Sequence, residues 1–418
     1  MISGFGVSPA ALDDLARGGA APASLADVER SKNVLLLRAV VARSRALGHP
    51  GARAAADGYR LLSRVQRASP AAAAEVLGYP LLGTWASATL AALGRREDAA
   101  PQRLAAVAGS VVLLARLPIT ARFPAEAGAV ALPGVGRLVL PGVAEGQPVT
   151  LTPPYLDVGG ERVRLPAELR SDDGRWEGVR DIGLLLDDVD PWRFPGPIPP
   201  LGRLTGTEAT AWERLVGQAR GILEANHPAV ARALDAITKV LVPISPPQAG
   251  TRSATARTAY GSVAMSWPHD ARSAALALAH EVHHAKLAML MDLFDLVRPG
   301  ARGRFYAPWR DDPRPAAALL QGAYAHMGVA GFWRAERHLA PDPEVAHSEF
   351  ARWRDAAHEA CLTLLKSGTV TGLGRRFVEG MLETLAAWRT DRVPAEASAM
   401  ARRAATRHRL QWSLRYGR

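Results

Sequence analysis

Residues 279–286 read AHEVHHAK, and within them His280, Glu281 and His284 hold the spacing His-Glu-x-x-His. On a helix, side chains four apart stand one turn apart on the same face, so the two imidazoles can meet one cation while Glu281 points to the neighbouring side. The motif is short enough to arise by accident, and it has chemical meaning only if the segment is helical. The stretch SAALALAHEVHHAKLAMLMDLFDL (273–296) has no Gly or Pro, is rich in Ala, Leu and Met, and follows Pro268 with Asp270 at a capping position, which predicts a helix. Leu276, His280, His284, Leu287 and Met291 then share one stripe, with His283 off it. Imidazoles set into an apolar stripe cost stability unless they find partners, which a metal supplies. The plain alternative is a pair of hydrogen-bonded core histidines.

Two hydrolytic patterns fail to extend the motif. A metallopeptidase of the extended type carries Gly and a third His at positions 287 and 290, and both are Leu here. The other common arrangement takes a Glu from a following helix about twenty residues on. The stretch VRPGARGRFYAPWR (297–310) contains no acid. Next comes FYAPWRDDPRPAAALLQGAYAHMGVAGFWR (305–334), with Arg310 and Arg314 in a Pro-braced loop beside Asp311 and Asp312. In the helix that follows, Gly322 and Ala323 neighbour His326; small residues permit close approach to the first helix, which makes His326 a candidate third ligand, with an ordinary core or surface histidine as the alternative. The arginine pair suits bidentate binding of a dicarboxylate such as 2-oxoglutarate, or else an ion pair with Asp311 or Asp312. Upstream, TAYGSVAMSWP (258–268) alternates with Tyr260, Ser262, Ala264 and Ser266 on one side, a strand whose edge can pair with an extended peptide and present Tyr260 and Ser262 to it; an ordinary sheet strand is the alternative.

HEVHHAKLAMLMDLFDL followed by YAPWRDDPRPAAALLQGAYAHMGVAGFW resembles the HExxH-motif-containing peptide-modification family, most closely over about 258–334, and HPAVARALDAI (227–237) also looks familial. Members are iron(II)- and 2-oxoglutarate-dependent β-hydroxylases of ribosomally made peptides, sometimes fused to or encoded beside radical S-adenosylmethionine maturases. The resemblance implies iron(II) at His280 and His284, 2-oxoglutarate anchored by Arg310 and Arg314, dioxygen as co-substrate and a precursor peptide as partner. It carries over no third ligand. Glu281 is left open: general base for metal-bound water in a zinc peptidase, or ligand or orienting group in an oxygenase. The expected function is β-hydroxylation of a precursor-peptide residue. The alternatives are a zinc metallopeptidase and a non-catalytic peptide-binding partner.

The elements that must position these residues fall into three stretches: a helical region over 1–120, a β-rich module over 121–200 and a mostly helical metal-binding region over 201–418. YLDVGGERVRLP carries a Gly-Gly pair suited to a hairpin turn, and WRFPGPIPPLGRL (192–204) suits a rigid connector. The expected class is mainly α (α+β), with a zincin-like strand leading into the His-Glu-x-x-His helix. The single Cys361 leaves His and carboxylates as the available ligands. No basic n-region with an apolar run opens the sequence and no stretch of about 18 uncharged apolar residues occurs, so a cytoplasmic protein without membrane spans is expected. The net charge of +11 rests almost wholly on Arg, with Lys only at 32, 239, 286 and 366. Most Arg are interspersed with acids. The tail ARRAATRHRLQWSLRYGR (401–418) is the exception, suggesting a solvated terminal helix or a docking surface for an acidic peptide, with no accompanying nucleic-acid motif.

Overall fold

The computed structural model describes residues 7–19, 24–248 and 250–416; the first six residues and the last two of the basic tail lie outside it. Six helices come first: α1 (Pro9–Ala16), α2 (Ser24–Ala46), α3 (Ala52–Ala68), α4 (Pro70–Leu77), α5 (Pro80–Arg95) and α6 (Arg103–Leu114). Short strands follow: β1 (Ala121–Pro124), β2 (Ala129–Leu132), β3 (Gly136–Val139), β4 (Pro148–Thr152), β5 (Tyr155–Val158), β6 (Glu161–Arg164), β7 (Trp176–Gly178), β8 (Arg180–Asp181) and β9 (Leu185–Leu186). After α7 (Gly206–Asn226) and α8 (Pro228–Ile237) come β10 (Val240–Pro243), β11 (Ser253–Ala254) and β12 (Ser262–Met265), which leads into α9 (Ala271–Leu293). The chain continues through β13 (Arg304–Phe305), β14 (Arg314–Pro315), α10 (Ala316–Glu336), α11 (Pro343–Lys366), α12 (Gly372–Trp388) and α13 (Ala395–Tyr416). The protein is mainly α with small sheets, an α+β chain. No single helix among the described residues is long and apolar enough to cross a membrane.

Local chemistry starts the helices. Asp270 accepts a hydrogen bond from the Ser273 backbone N–H at 2.7 Å, capping α9 where the sequence places the cap. Thr205 and Glu208 form a reciprocal capping box on α7. Gly159 and Gly160 join β5 to β6 with φ of 61° and 81°, the left-handed pair that a two-residue hairpin turn demands.

A five-stranded sheet in the order β11-β12-β10-β9-β8 holds the central position. β9, β10 and β12 run parallel, and β8 and β11 close the two sides antiparallel. Leu241, Val263 and Met265 belong to the core that includes Leu278 and Val282 of α9, whereas Val240, Val242 and Ala264 join the core of the N-terminal helices and small sheets. Burial on both faces explains why these strands read as unbroken apolar runs. The expected free edge at 258–268 is corrected here. Only Ser262–Met265 is strand, β10 pairs along it on one side, and β11 occupies the other side at Ala264 and Met265. Tyr260 precedes the strand, after a turn of 3-10 helix at Arg257–Ala259.

The three compositional stretches also share cores. β9 pairs with β10 across the Pro-dense connector, and Leu12 and Leu15 of α1 pack in a third core with Leu319, Tyr324 and Phe377 from α10 and α12. The connector is held by a buried ionic network beginning at Asp187. Asp187 accepts from Tyr79 and from the backbone N–H groups of Val189 and Asp190; Asp188 accepts from Arg180, Arg203 and the Leu204 N–H; Asp190 accepts from Arg103 and the Trp192 N–H.

Candidate metal centre

α9 is buried on nearly every side, as an apolar helix packed between a sheet and other helices must be. Its register puts His280 and His284 together, ring centroids 4.7 Å apart and planes at 83°. His326 arrives from α10, its ring 5.2 Å from that of His280 at 82°. The three histidines singled out from the sequence are thus one cluster. The close approach of α10 to α9 has a different cause from the one expected. At Gly328 a Cβ would collide with the His283 ring, so that glycine admits α9, whereas Gly322 makes room for the Trp309 indole. His283 lies off the cluster, with Nδ1 2.8 Å from the Ala279 carbonyl oxygen.

Burial disfavours the charged imidazole, so His280 lies well below the ordinary histidine range; the nearby His284 and His326 add to that fall. His326 is pushed down to about 3, again chiefly by burial. Neutral rings are the form that binds metals. The His326 Nδ1 lies 2.8 Å from the Gly322 carbonyl oxygen, and that of His284 lies 3.2 Å from Gln321 Oε1. A proton on each Nδ1 satisfies these acceptors and leaves each Nε2 lone pair available, the arrangement by which outer groups orient ligating histidines. Trp309 stacks on His326 at 4.4 Å and 14°, and Trp353 leans on it at 4.7 Å, fixing the ring plane.

Glu281 points to the sheet side of α9. Its Oε1 accepts from the Ser253 hydroxyl of β11 at 2.7 Å, while the buried Oε2 makes no hydrogen bond among the described residues. Arg310 and Arg314 both hold Asp312, each at 3.0 Å, so the ion-pair alternative for this pair is present. Trp309, next to Arg310, brings the loop against the cluster. Ser262 is buried in β12 and Tyr260 just before it, and neither hydroxyl has a hydrogen-bond partner among the described residues. Burial, with Glu29 nearby, pushes the Tyr260 phenol upward. Tyr260 separates two cavities: one of about 340 Å³, lined by His284, Gln321, Met291 and alanines of α9 and α10, and one of about 460 Å³ on the far side, reaching Glu29 and Lys239. The smaller cavity lies beside the cluster and is walled by small residues, leaving space for a substrate side chain.

The donor set fits a divalent transition metal in its chemistry: three adjacent imidazoles, two of them with rings oriented from behind. Its convergence is incomplete. Among the described residues no three His, Cys, Asp or Glu side chains gather their donor atoms around one point. Trp309, Trp353, Gln321 and Ser253 were not singled out from the sequence; only Trp309 carried a signal, through its place in the PWRDDPRP loop. No family model matches the chain, and no curated protein matches it significantly.

Proposed function

We propose that this chain is an iron(II)- and 2-oxoglutarate-dependent dioxygenase that hydroxylates a β-carbon in a ribosomally synthesised precursor peptide in the cytoplasm, alongside a radical S-adenosylmethionine maturase of the same pathway. One observation carries the proposal: His326, an imidazole, joins His280 and His284 where the common zinc peptidase brings a glutamate. The acid at the end of α10, Glu336, is committed elsewhere, to Arg272 at 2.6 Å and to Asn226 and His227.

Iron, when bound, would supply the oxidising chemistry: 2-oxoglutarate and dioxygen would give succinate and carbon dioxide, with the second oxygen atom inserted into a peptide C–H bond. The chain's own residues bind and orient. His280, His284 and His326 would hold the metal, with Gln321 and the Gly322 carbonyl orienting two of the rings through Nδ1. Arg310 and Arg314 each spend one guanidinium N–H on Asp312, so each retains donors for a carboxylate of 2-oxoglutarate. The small cavity takes the peptide side chain and Trp309 limits water.

The test is anaerobic addition of iron(II) and 2-oxoglutarate, followed by air. A visible charge-transfer band that bleaches as succinate forms is expected. Absence of both, with peptide cleavage by the zinc-loaded protein, would establish the second candidate, a zinc peptidase. That candidate draws support from Glu281 Oε2, which makes no hydrogen bond among the described residues while Oε1 is held by Ser253, and it predicts that Glu281→Gln abolishes cleavage.

A further inference from the structure

The basic C-terminal helix is not a free solvated element. Ala397 and Ala401 are buried, and farther along the otherwise exposed helix three side chains reach Tyr306 in the loop that leads to Trp309. His408 Nδ1 lies 2.9 Å from the Tyr306 hydroxyl, the Trp412 ring packs edge-on against Tyr306, and Arg409 lies over the Tyr306 ring at 4.1 Å. Between α11 and α13 this packing leaves a cleft of about 440 Å³. Its floor is made of small side chains such as Ala351 and Ala401, and its walls carry five arginines (352, 354, 389, 402 and 409) against two carboxylates, Asp355 and Glu359.

The acids neutralise only part of that charge. Asp355 is taken by Arg354 at 3.0 Å and Arg389 at 3.6 Å, and Glu359 by Arg409. Arg352 has only a 3.6 Å contact to Glu349, and Arg402 makes no ion pair among the described residues. A single small anion would want these guanidiniums converging as a fork. They are instead spread over α11, the end of α12 and α13, around an apolar floor, which suits several carboxylates spaced along a chain. The cleft also touches the site. Arg352 lines it while the adjacent Trp353 contacts His326, and Tyr306 and Pro308 line it while the next residue, Trp309, stacks on His326.

We propose that the cleft between α11 and α13 docks an acidic segment of the peptide substrate, whose carboxylates pair with Arg352, Arg389 and Arg402, and so leads the neighbouring part of that peptide to Trp309 and the imidazole cluster. The delivery half rests on the proposed peptide-modifying function; the docking half stands without it.

A fluorescein-labelled Glu-Ala repeat peptide, titrated with the full chain and followed by anisotropy, tests the docking. Binding that weakens as salt is raised, is absent for a Lys-Ala repeat, and drops about tenfold in the double variant Arg389→Glu/Arg402→Glu is expected. Both arginines are exposed, so the variant's folding, checked by circular dichroism, should be unchanged. Equal binding by parent and variant, equal binding of the Lys-Ala repeat, or tighter binding of a single-stranded oligonucleotide would overturn the proposal. So would displacement of the acidic peptide by millimolar 2-oxoglutarate, which would make the cleft a small-dicarboxylate site. His280→Ala should bind the acidic repeat as the parent does. Retained docking in a parent that forms no succinate would refute the dioxygenase function and leave the docking intact.

Discussion

Two buried polar clusters in this protein are built on opposite principles. Around Asp187, Asp188 and Asp190, both oxygens of every carboxylate meet a donor, three arginines balance the charge and the Tyr79 hydroxyl adds a hydrogen bond. Around His280, His284 and His326, burial holds His280 and His326 below the ordinary histidine range, two rings are oriented from behind through Nδ1, and their Nε2 atoms make no hydrogen bond among the described residues. A saturated network ties segments together; an unsaturated one keeps its binding capacity for something else. The first cluster pins the Pro-dense connector and the β-rich segment to α6, and the second lies where two helices, a loop and a cavity meet.

The contrast can be broken from either side. The largest effect is expected from Arg103→Ala, which leaves Asp190 buried without its cation and strips half-exposed Glu126 of its partner, and should cost about 3–5 kcal/mol in urea unfolding. At the imidazoles the readout is metal: His326→Ala, beyond the packing it loses against Trp309 and Trp353, should remove iron, lowering affinity by more than the roughly 10–100-fold that loss of an orienting partner costs. Metal analysis after dialysis against a weak chelator reads the difference, and a variant that keeps a full equivalent of iron would exclude His326 as a ligand. Gln321→Leu, which removes the acceptor behind His284 and changes no ligand, should fall within that 10–100-fold range by the same assay.

The smallest effect is a pH dependence. Burial, with Asp190 alongside, raises the Asp187 carboxyl from 3.8 to about 6. The folded state therefore holds a proton that the unfolded state releases, and this group's contribution to stability falls as pH rises from about 4 to 6 and is level above that. Asp187→Asn keeps an oxygen for the Val189 and Asp190 N–H groups and should flatten the stability profile over that window. A slope identical to the parent's would assign the titration to another group.

Much of the fold was legible along the chain. Capping by Asp270, the Ala-Leu-Met texture and the absence of Gly or Pro place α9, and Gly159-Gly160 places a hairpin, because each depends on neighbours a few residues away. The strand before α9 was shorter than its alternating pattern suggested, and not a free edge, because its pairing depends on β10 and β11 from elsewhere. Gly322 and Gly328 looked alike in sequence. Only packing distinguished the one that admits Trp309 from the one that admits His283. The acids of LLLDDVDPW were not singled out from the sequence; their burial depends on Tyr79 and Arg103, which the sequence places far away.

What the sequence by itself determined is the one-turn pairing of His280 with His284 and the mainly α class, since helical periodicity is a property of the local chain. The tertiary structure decided which distant group joins that pair, that Trp309 and Trp353 clasp it, that Asp312 holds both loop arginines, and that Glu281 turns to Ser253. Most of those contacts join residues well separated along the chain, and the Asp312 pairs depend on side-chain geometry within a folded loop. Both are set by how helices, loop and sheet pack and by which burial leaves the fewest polar groups unmet.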